Sequence, residues 1–205
     1  MNTQPRTWTV LLIGGISGIG KTTAAESLGM QLGIPWLQVD DLRLILQFSD
    51  LVPRATNPDL YFFLDHELQD MSTVTYCDKL IAVGGIVSRS LQVVIDHHIA
   101  TNKPIILEGD GIVPASAAAY ASANDQRVRS IFIAEDDKHV LQKNMRERGR
   151  GVSPDGEASA AQQTHIHGSW LFGQWLQKEA AQHHVPCIAA RPHDTLAERI
   201  QSAVA

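Results

Sequence analysis

The hydrophobic pattern of the chain contains five short apolar runs, each bounded by glycine, proline or charged residues. Runs of this kind, rich in β-branched residues and without strict alternation, are typical of strands that are buried on both faces of a parallel sheet. We therefore predict strands at residues 7–13, 36–39, 104–110, 127–133 and 185–190.

Between these runs the apolar positions recur at helical spacing. In the first such segment Ala24, Ala25, Leu28 and Leu32 fall on one stripe of a helix. The predicted helices are 23–32, 42–48, 60–83, 86–100, 136–145, 162–183 and 195–204. We expect the break between the third and fourth of them at Gly84-Gly85. Strands that alternate with helices predict one α/β domain, spanning residues 1–205.

A glycine-rich turn joins the first predicted strand to the first predicted helix. Residues 15–22 fit the phosphate-binding pattern G-x-x-x-x-G-K-[ST] at every fixed position. Glycines permit positive φ and let backbone N–H groups approach a polyphosphate, Lys21 reaches the β and γ phosphates, and the Thr22 hydroxyl can bind Mg²⁺. The predicted nucleotide-phosphate site comprises Gly15, Ser17, Gly18, Ile19, Gly20, Lys21, Thr22 and Thr23.

Acidic residues follow the second predicted strand, at the edge of the sheet where ligands of open α/β folds bind. Either Asp40 or Asp41 can orient and deprotonate an acceptor hydroxyl, or simply cap the helix that follows. We place Asp40 first as the catalytic base that contacts the substrate. Arg43 lies one turn further on and is our candidate for gripping an anionic acceptor.

Two further carboxylates end the third predicted strand. In phosphate-loop folds, an acidic residue at the end of the strand beside the loop strand often holds Mg²⁺, directly or through water. We predict this role, and contact with the substrate, for Glu108, and Asp110 is the alternative metal residue. Gly109 and Gly111 indicate a turn that brings the backbone close to the ligand.

Three other segments complete the predicted site. Residues 53–101 contain no convincing strand and are read as a helical insert over the acceptor side. Arg146 and Arg150 belong to a polar, glycine-rich segment, about 146–160, that is typical of a mobile lid; their charges would neutralise a transferring phosphoryl group. Arg191 follows the last predicted strand and can stack on an adenine ring.

Composition narrows the class of partner. The formal net charge is −5, and no local basic run argues for nucleic acid or an anionic membrane as the main partner. Cys77 and Cys187 belong to no metal-binding or redox pattern. We see no signal peptide and expect no apolar run of bilayer length, so the prediction is a cytoplasmic monomer or homodimer.

These motifs together resemble the 2-phosphoglycerate kinase family and, more broadly, the P-loop small-molecule kinases built like adenylate and gluconate kinases. The resemblance rests on residues 14–21, 40–43, Glu108-Gly109 with 112–114, and 136–139 with Arg146. It implies a three-layer fold with a five-stranded parallel sheet, Mg-ATP as donor, and phosphoryl transfer to a hydroxyl or phosphate of a small molecule. By position, Lys21 and Thr22 would hold phosphate and Mg²⁺, Asp40 and Arg43 would face the acceptor, and Arg146 would belong to the lid.

The rival interpretation is a nucleotide-hydrolysing switch or motor without an acceptor. A GTPase would have Asn-Lys-x-Asp after a late strand, but residues 102–105 lack the aspartate and precede a strand. A transporter ATPase would have a Leu-Ser-Gly-Gly-Gln stretch, which the sequence lacks. The kinase family usually has a histidine where this chain has Gly111, so the acceptor stays open between a phosphorylated acid, a sugar, an antibiotic and a nucleotide-like molecule.

Overall fold

A computed structural model describes residues 6–49, 51–64, 71–147 and 159–205, and it shows a sheet of five parallel strands. The strands are β1 (Val10–Gly15), β2 (Trp36–Gln38), β3 (Ile105–Gly109), β4 (Val128–Ala134) and β5 (Cys187–Ala189). Their order across the sheet is β2-β3-β1-β4-β5. The prediction of an α/β fold with a five-stranded parallel sheet is confirmed.

Burial of the central strands on both faces of the sheet explains why the apolar runs in the sequence are nearly continuous. Every residue of β1 is buried, and this strand pairs with β3 on one side and β4 on the other. Leu12 lies opposite Leu107 of β3, so apolar side chains meet across neighbouring strands. The edge strands β2 and β5 have only three residues each and are more exposed, as the margins of such a sheet are expected to be.

Seven α-helices and one 3₁₀ helix are seen in the part of the chain that the structure describes. They are α1 (Lys21–Leu32), α2 (Val39–Phe48), the 3₁₀ helix (Pro58–Leu64), α3 (Thr73–Thr101), α4 (Pro114–Ala123), α5 (Lys138–Glu147), α6 (Ala160–Gln182) and α7 (Leu196–Ala203). Helix α1 packs on α7, whereas α3 packs on α4 and α6. Two separate sets of packed helices are expected when helices cover opposite faces of one sheet.

Helix α3 corrects the predicted break at Gly84-Gly85, because the helix runs through both glycines without interruption. A Cβ atom added to Gly84 would lie 2.5 Å from Cγ1 of Val113, so this glycine permits close packing of α3 against the segment after β3. A glycine inside a helix costs about 1 kcal/mol relative to alanine, which such a contact can offset. The first part of the predicted helix 60–83 is instead the short 3₁₀ helix.

The length of α3 also contradicts the expectation that no apolar stretch reaches bilayer length. By length and composition alone, its 29 residues are sufficient to cross a membrane. Core helices of soluble proteins pass the same test, and the side chains of Leu80, Val87, Leu91 and Ile95 are buried here. The most extensive helix–helix packing of α3 is with α6.

Candidate active site

The phosphate loop occupies the turn between β1 and α1, as the sequence pattern predicts. Gly18 and Gly20 have φ angles of 88° and 91°, in the left-handed region that favours glycine. Gly20 is the N-cap of α1 and provides no side-chain hydrogen bond to the helix. The first N–H groups of α1 therefore have no capping side chain, which leaves them suited to an anion at the positive end of the helix.

Lys21 is the first residue of α1, and only 7% of its surface is exposed. Its Nζ donates a hydrogen bond of 2.7 Å to the carbonyl oxygen of Ile16, which lies within the loop. The Lys21 side chain thus reaches back across the loop to the carbonyl oxygen of Ile16. Because a lysine ammonium has three donors, this contact leaves others for phosphate oxygens.

The Thr22 hydroxyl donates a hydrogen bond of 2.8 Å to Oε1 of Glu108. This contact depends on the sheet, because β3 lies directly beside β1 and Glu108 is opposite Ile13. The two predicted metal residues therefore meet, although they are far apart in sequence. A hydroxyl and a carboxylate oxygen are ligands that Mg²⁺ accepts. No group of three or more His, Cys, Asp or Glu side chains suited to a metal occurs in the described ranges.

Helix α2 carries the residues predicted to face the acceptor, and it begins three residues earlier than predicted. Its N-cap is Gln38, so Asp40 and Asp41 lie in the first turn and neither caps the helix. The two aspartates have different surroundings. Asp40 lines the cavity beside the phosphate loop, whereas Asp41 is exposed to solvent. Asp40 Oδ1 lies 3.6 Å from Nε of Arg43, one turn further along.

Arg43 is held by three neighbours. Besides its ion pair with Asp40, its Nη1 donates a hydrogen bond of 3.0 Å to Oε1 of Gln47. Its guanidinium group lies over the ring of Phe63, 4.8 Å from the ring centre, in a cation–π contact. The Gln47 amide is buried and donates in turn to the carbonyl oxygen of Leu60 in the 3₁₀ helix. The 3₁₀ helix thus helps to orient the arginine.

Asp110 lies just beyond the end of β3 and is hydrogen-bonded to Asp40. Burial and the negative charge of Asp40 raise the pKa of Asp110 to about 6, although Lys21 and Arg43 act in the opposite direction. Sequence reasoning named Asp110 only as an alternative metal residue. Its pairing with Asp40 requires the ends of β2 and β3 to be neighbours, which the strand order provides.

A second cavity, of about 500 Å³, lies on the other side of the phosphate loop. It is lined by Gly18, Gly20, Thr23, Asn144, His193 and Asp194, among others. The Asn144 amide donates a hydrogen bond of 3.1 Å to the carbonyl oxygen of Gly18. Sequence reasoning missed Asn144 and His193, because no local motif marks a residue that reaches the loop from a distant element.

Arg191 is exposed and lies outside the lining of that cavity. Its Nη2 is 2.9 Å from Oε1 of Glu135 and 3.9 Å from Oδ2 of Asp137. Hydrogen bonds from the backbone N–H groups of Val140 and His139 lower the pKa of Asp137, and the Arg191 charge acts in the same direction. The stacking of Arg191 on adenine stays a prediction.

The lid prediction falls mostly outside the described residues. Arg146 is exposed in the last turn of α5, which also contributes Asn144 to the second cavity. Arg150 and the rest of residues 148–158 lie outside the described ranges. The roles of both arginines stay predictions.

Most of the predicted residues converge at one edge of the sheet. A single cavity is lined by Ser17, Gly18, Gly20, Lys21, Thr22, Gln38, Asp40, Glu108, Gly109 and Asp110. The phosphate loop, the threonine–carboxylate pair and the parallel sheet are together features of the P-loop fold. Gly15 and Ile19 are buried within the loop, and Thr23 faces the second cavity.

The sequence and structure of this chain are similar to those of known P-loop kinases. Over 141 residues the chain is 27% identical to a 2-phosphoglycerate kinase from Methanococcus vannielii, an alignment that covers 63% of this chain and 44% of the relative. The chain thus matches less than half the length of that relative. The structure resembles a gluconokinase from Sinorhizobium meliloti, with a TM-score of 0.51, 13% identity, and coverage of 97% and 93% of the two chains.

A shikimate kinase from Aquifex aeolicus is also similar, with a TM-score of 0.49, 13% identity and coverage of 95% of each chain. No protein-family model matches the sequence. At 13% identity, the similarity to the gluconokinase shows the fold alone, and that fold is the one of the P-loop kinases.

Proposed function

We propose that this protein is a phosphotransferase that moves the γ-phosphoryl group of Mg-ATP to a hydroxyl group of a small-molecule acceptor. The observation that supports it most is the shared cavity in which Lys21, the Thr22–Glu108 pair, Asp40 and Asp110 face one another. Donor and acceptor groups in such a cavity lie within reach of one another. A phosphate rather than a hydroxyl as the accepting group fits less well, because Asp40 and Asp110 would repel it.

On the donor side, the loop N–H groups and Lys21 would bind the phosphates. Lys21 would add phosphate oxygens to its contact with Ile16, and it would neutralise charge as the phosphoryl group transfers. Thr22 and Glu108 would hold Mg²⁺, Glu108 directly or through water. Bound Mg²⁺ would neutralise the phosphate charge during transfer.

On the acceptor side, Asp40 would accept the proton of the attacking hydroxyl. Its position in the first turn of α2, where it lines the phosphate cavity, supports the role of general base. Arg43 would orient the acceptor and hold the Asp40 carboxylate through their ion pair. Arg146 and Arg150 would close over the transferring group, and Arg191 would contact the adenine.

The test is an acceptor screen with purified protein, Mg²⁺ and ATP, in which acceptor-dependent ADP release is measured over sugars, amino sugars, alcohols, antibiotics and phosphorylated acids. Stimulation by at least one acceptor, with a phosphorylated product detected by mass spectrometry, is the expected result. ADP release that no acceptor stimulates would favour the hydrolytic switch instead. The expectations of a cytoplasmic monomer or homodimer, and of no nucleic-acid or membrane partner, stay predictions.

A further inference from the structure

We propose that a cavity at the opposite end of the sheet from the phosphate loop binds a small molecule that carries a carboxylate or phosphate group. This inference goes beyond the proposed function and does not depend on it. The cavity has a volume of about 360 Å³, and we call it the basal cavity. Its polar lining is formed by Ser122, Gln126, Arg129, Ser130, His183 and His184.

The basal cavity is separated from the phosphate loop by the length of the central strands. Val128, which lines the cavity, is the first residue of β4 and pairs with Val10 at the start of β1. The phosphate loop begins at the other end of β1, at Gly15. Five residues of extended strand separate these two levels by about 16 Å. A ligand in the basal cavity would therefore be a third molecule, in addition to the nucleotide and the acceptor.

The first half of β4 has an open edge at this cavity. Strand β5 pairs with β4 only from Phe132 onward, so residues 128–131 have no β5 residue opposite them. The Phe132 N–H points to the β5 side, because it donates a hydrogen bond of 2.8 Å to the carbonyl oxygen of Pro186. Backbone N–H groups point to the same side of a strand at every second residue, so the Ser130 N–H points to this edge as well. Because Ser130 lines the cavity, the edge offers a backbone donor to a ligand oxygen.

Arg129 supplies a positive charge to the basal cavity. Its Nη1 donates a hydrogen bond of 2.9 Å to Oε1 of Gln126, and no carboxylate forms an ion pair with it in the described part of the chain. Its Nε is buried and has no hydrogen-bond partner among the described residues. An unpaired buried donor is costly, and arginine binds carboxylate and phosphate groups through two parallel N–H groups. A small rotation of the side chain that brings Nε and Nη2 to two ligand oxygens would therefore be favourable.

The other side chains of the lining also favour an anion. His183 and His184 are exposed to solvent and supply imidazole donors, although Nε2 of His183 lies 3.5 Å from Oε2 of Glu179. No Asp or Glu side chain lines the cavity in the described ranges, whereas the chain as a whole has a formal net charge of −5. Ala205 also lines the cavity, and its α-carboxylate forms no ion pair with Arg129 or the histidines in the part of the chain that the structure describes. An added anion can thus bind Arg129 without displacing an ion pair.

The experiment compares anionic probes with uncharged molecules of similar shape. Succinate is paired with succinamide, and phenyl phosphate is paired with benzyl alcohol. Each probe is titrated into the full chain in the presence of saturating Mg²⁺ and a non-hydrolysable ATP analogue, so that the phosphate loop is already occupied. Calorimetry gives the Kd, and shifts of backbone amide resonances in NMR spectra locate the binding site.

We expect at least one anion to bind with a Kd of about 1 mM or below, and its uncharged partner to bind at least about tenfold more weakly. The amide resonances of Ser130 and His184 should shift on binding, whereas those of Gly18 and Gly20 should not. The comparison of succinate with phenyl phosphate decides between a carboxylate and a phosphate ligand. Anions that bind no more tightly than their uncharged partners would overturn the inference, and so would shifts confined to the phosphate loop.

Arg129→Gln supplies a second readout, because it removes the positive charge and the paired N–H groups from the basal cavity. The variant should bind the anion at least about tenfold more weakly than the wild-type protein does. Arg127→Gln is the matched control, since Arg127 is exposed and lies outside the lining. It should change the Kd by less than about twofold. Equal Kd values for Arg129→Gln and the wild-type protein would overturn the inference.

Gln126→Glu keeps the inference testable if Arg129→Gln does not fold. Gln126 is exposed and contacts Nη1 of Arg129, so a carboxylate at this position would pair with the arginine in place of the probe. We expect anion binding to weaken by at least about fivefold in this variant, with a thermal unfolding curve that shows a folded protein. Unchanged binding would count against the inference. Because the measurement is of binding at a separate cavity, either result leaves the proposed phosphoryl transfer standing.

Discussion

The donor and acceptor halves of the proposed site are assembled in different ways. The donor half comes from one continuous stretch, the phosphate loop between β1 and α1, together with Glu108 from the adjacent strand. The acceptor half brings together α2, the 3₁₀ helix, α3 and the turn after β3. Backbone groups dominate the first half and side chains the second. The donor half therefore depends on local sequence, whereas the acceptor half depends on how distant elements pack.

This difference has a consequence for the effect of mutations. A change in the donor half should alter phosphoryl transfer whatever the acceptor is, because every acceptor meets the same phosphate. A change in the acceptor half should alter the choice of acceptor and its KM, unless it removes the base. Four substitutions test this division, and we expect the largest effect from Lys21→Ala.

Lys21→Ala should reduce kcat by about 10³-fold with every acceptor, because it removes the charge that stabilises the transferring phosphoryl group. The fold should survive, since the lost hydrogen bond to Ile16 contributes only about 1–3 kcal/mol. Initial rates of ADP release and a thermal unfolding curve measure both. Lys178→Ala, on the exposed face of α6, is the control. Full turnover in Lys21→Ala would refute the role of the donor half.

Asp40→Asn should lower kcat by about 100-fold while changing the Kd for ATP by less than about threefold. The amide keeps the shape of the side chain but accepts no proton from the acceptor hydroxyl. Asp41→Asn is the matched neighbour, and its exposed position predicts little effect. If the Asp41 variant showed the large loss, the assignment of the base to Asp40 would be wrong.

Glu108→Gln should raise the Mg²⁺ concentration needed for half-maximal turnover by about tenfold, because a neutral amide binds the ion more weakly than a carboxylate. The Thr22 hydroxyl can still donate to the amide oxygen, so the variant should fold normally. Titration of Mg²⁺ at saturating ATP measures the shift. An unchanged Mg²⁺ requirement would transfer the metal role to Asp110, the alternative.

Asp110→Asn should stabilise the ligand-free protein by up to about 3 kcal/mol at neutral pH while impairing acceptor binding. The pKa of Asp110 is raised from 3.8 to about 6 on folding, so the wild-type protein loses stability as the pH rises through that interval. The asparagine has no proton to lose. Urea unfolding at about pH 7 should show the gain, and at about pH 3 or below, where Asp110 is protonated in both the folded and the unfolded state, the gain should vanish. An equal gain at both pH values would show a cause other than ionisation.

The donor half could be predicted in detail from the sequence. The spacing of Gly15, Gly20, Lys21 and Thr22 already specifies a turn between a buried strand and a helix, and the structure shows that turn. The reason is local: the φ angles of glycines, a continuous apolar strand and a helix start are properties of consecutive residues. The five strands were predictable for the same reason, with errors of a few residues at their ends.

The acceptor half needed the tertiary structure. Sequence alone left Asp40 and Asp41 as alternatives, and the start of α2 at Val39 decides which of them lines the cavity. The hydrogen bond of Asp110 to Asp40 exists because β2 and β3 are neighbours, a property of strand order and not of either segment.

The continuity of α3 through Gly84 shows the same limit. A glycine pair in isolation predicts a break, but the helix continues through both residues, and Gly84 allows the close approach of Val113 from the segment after β3. Consecutive residues therefore determine where a phosphate can bind in this protein. Only the packing of distant residues decides the shape and the charge of the cavity for the molecule that accepts the phosphoryl group.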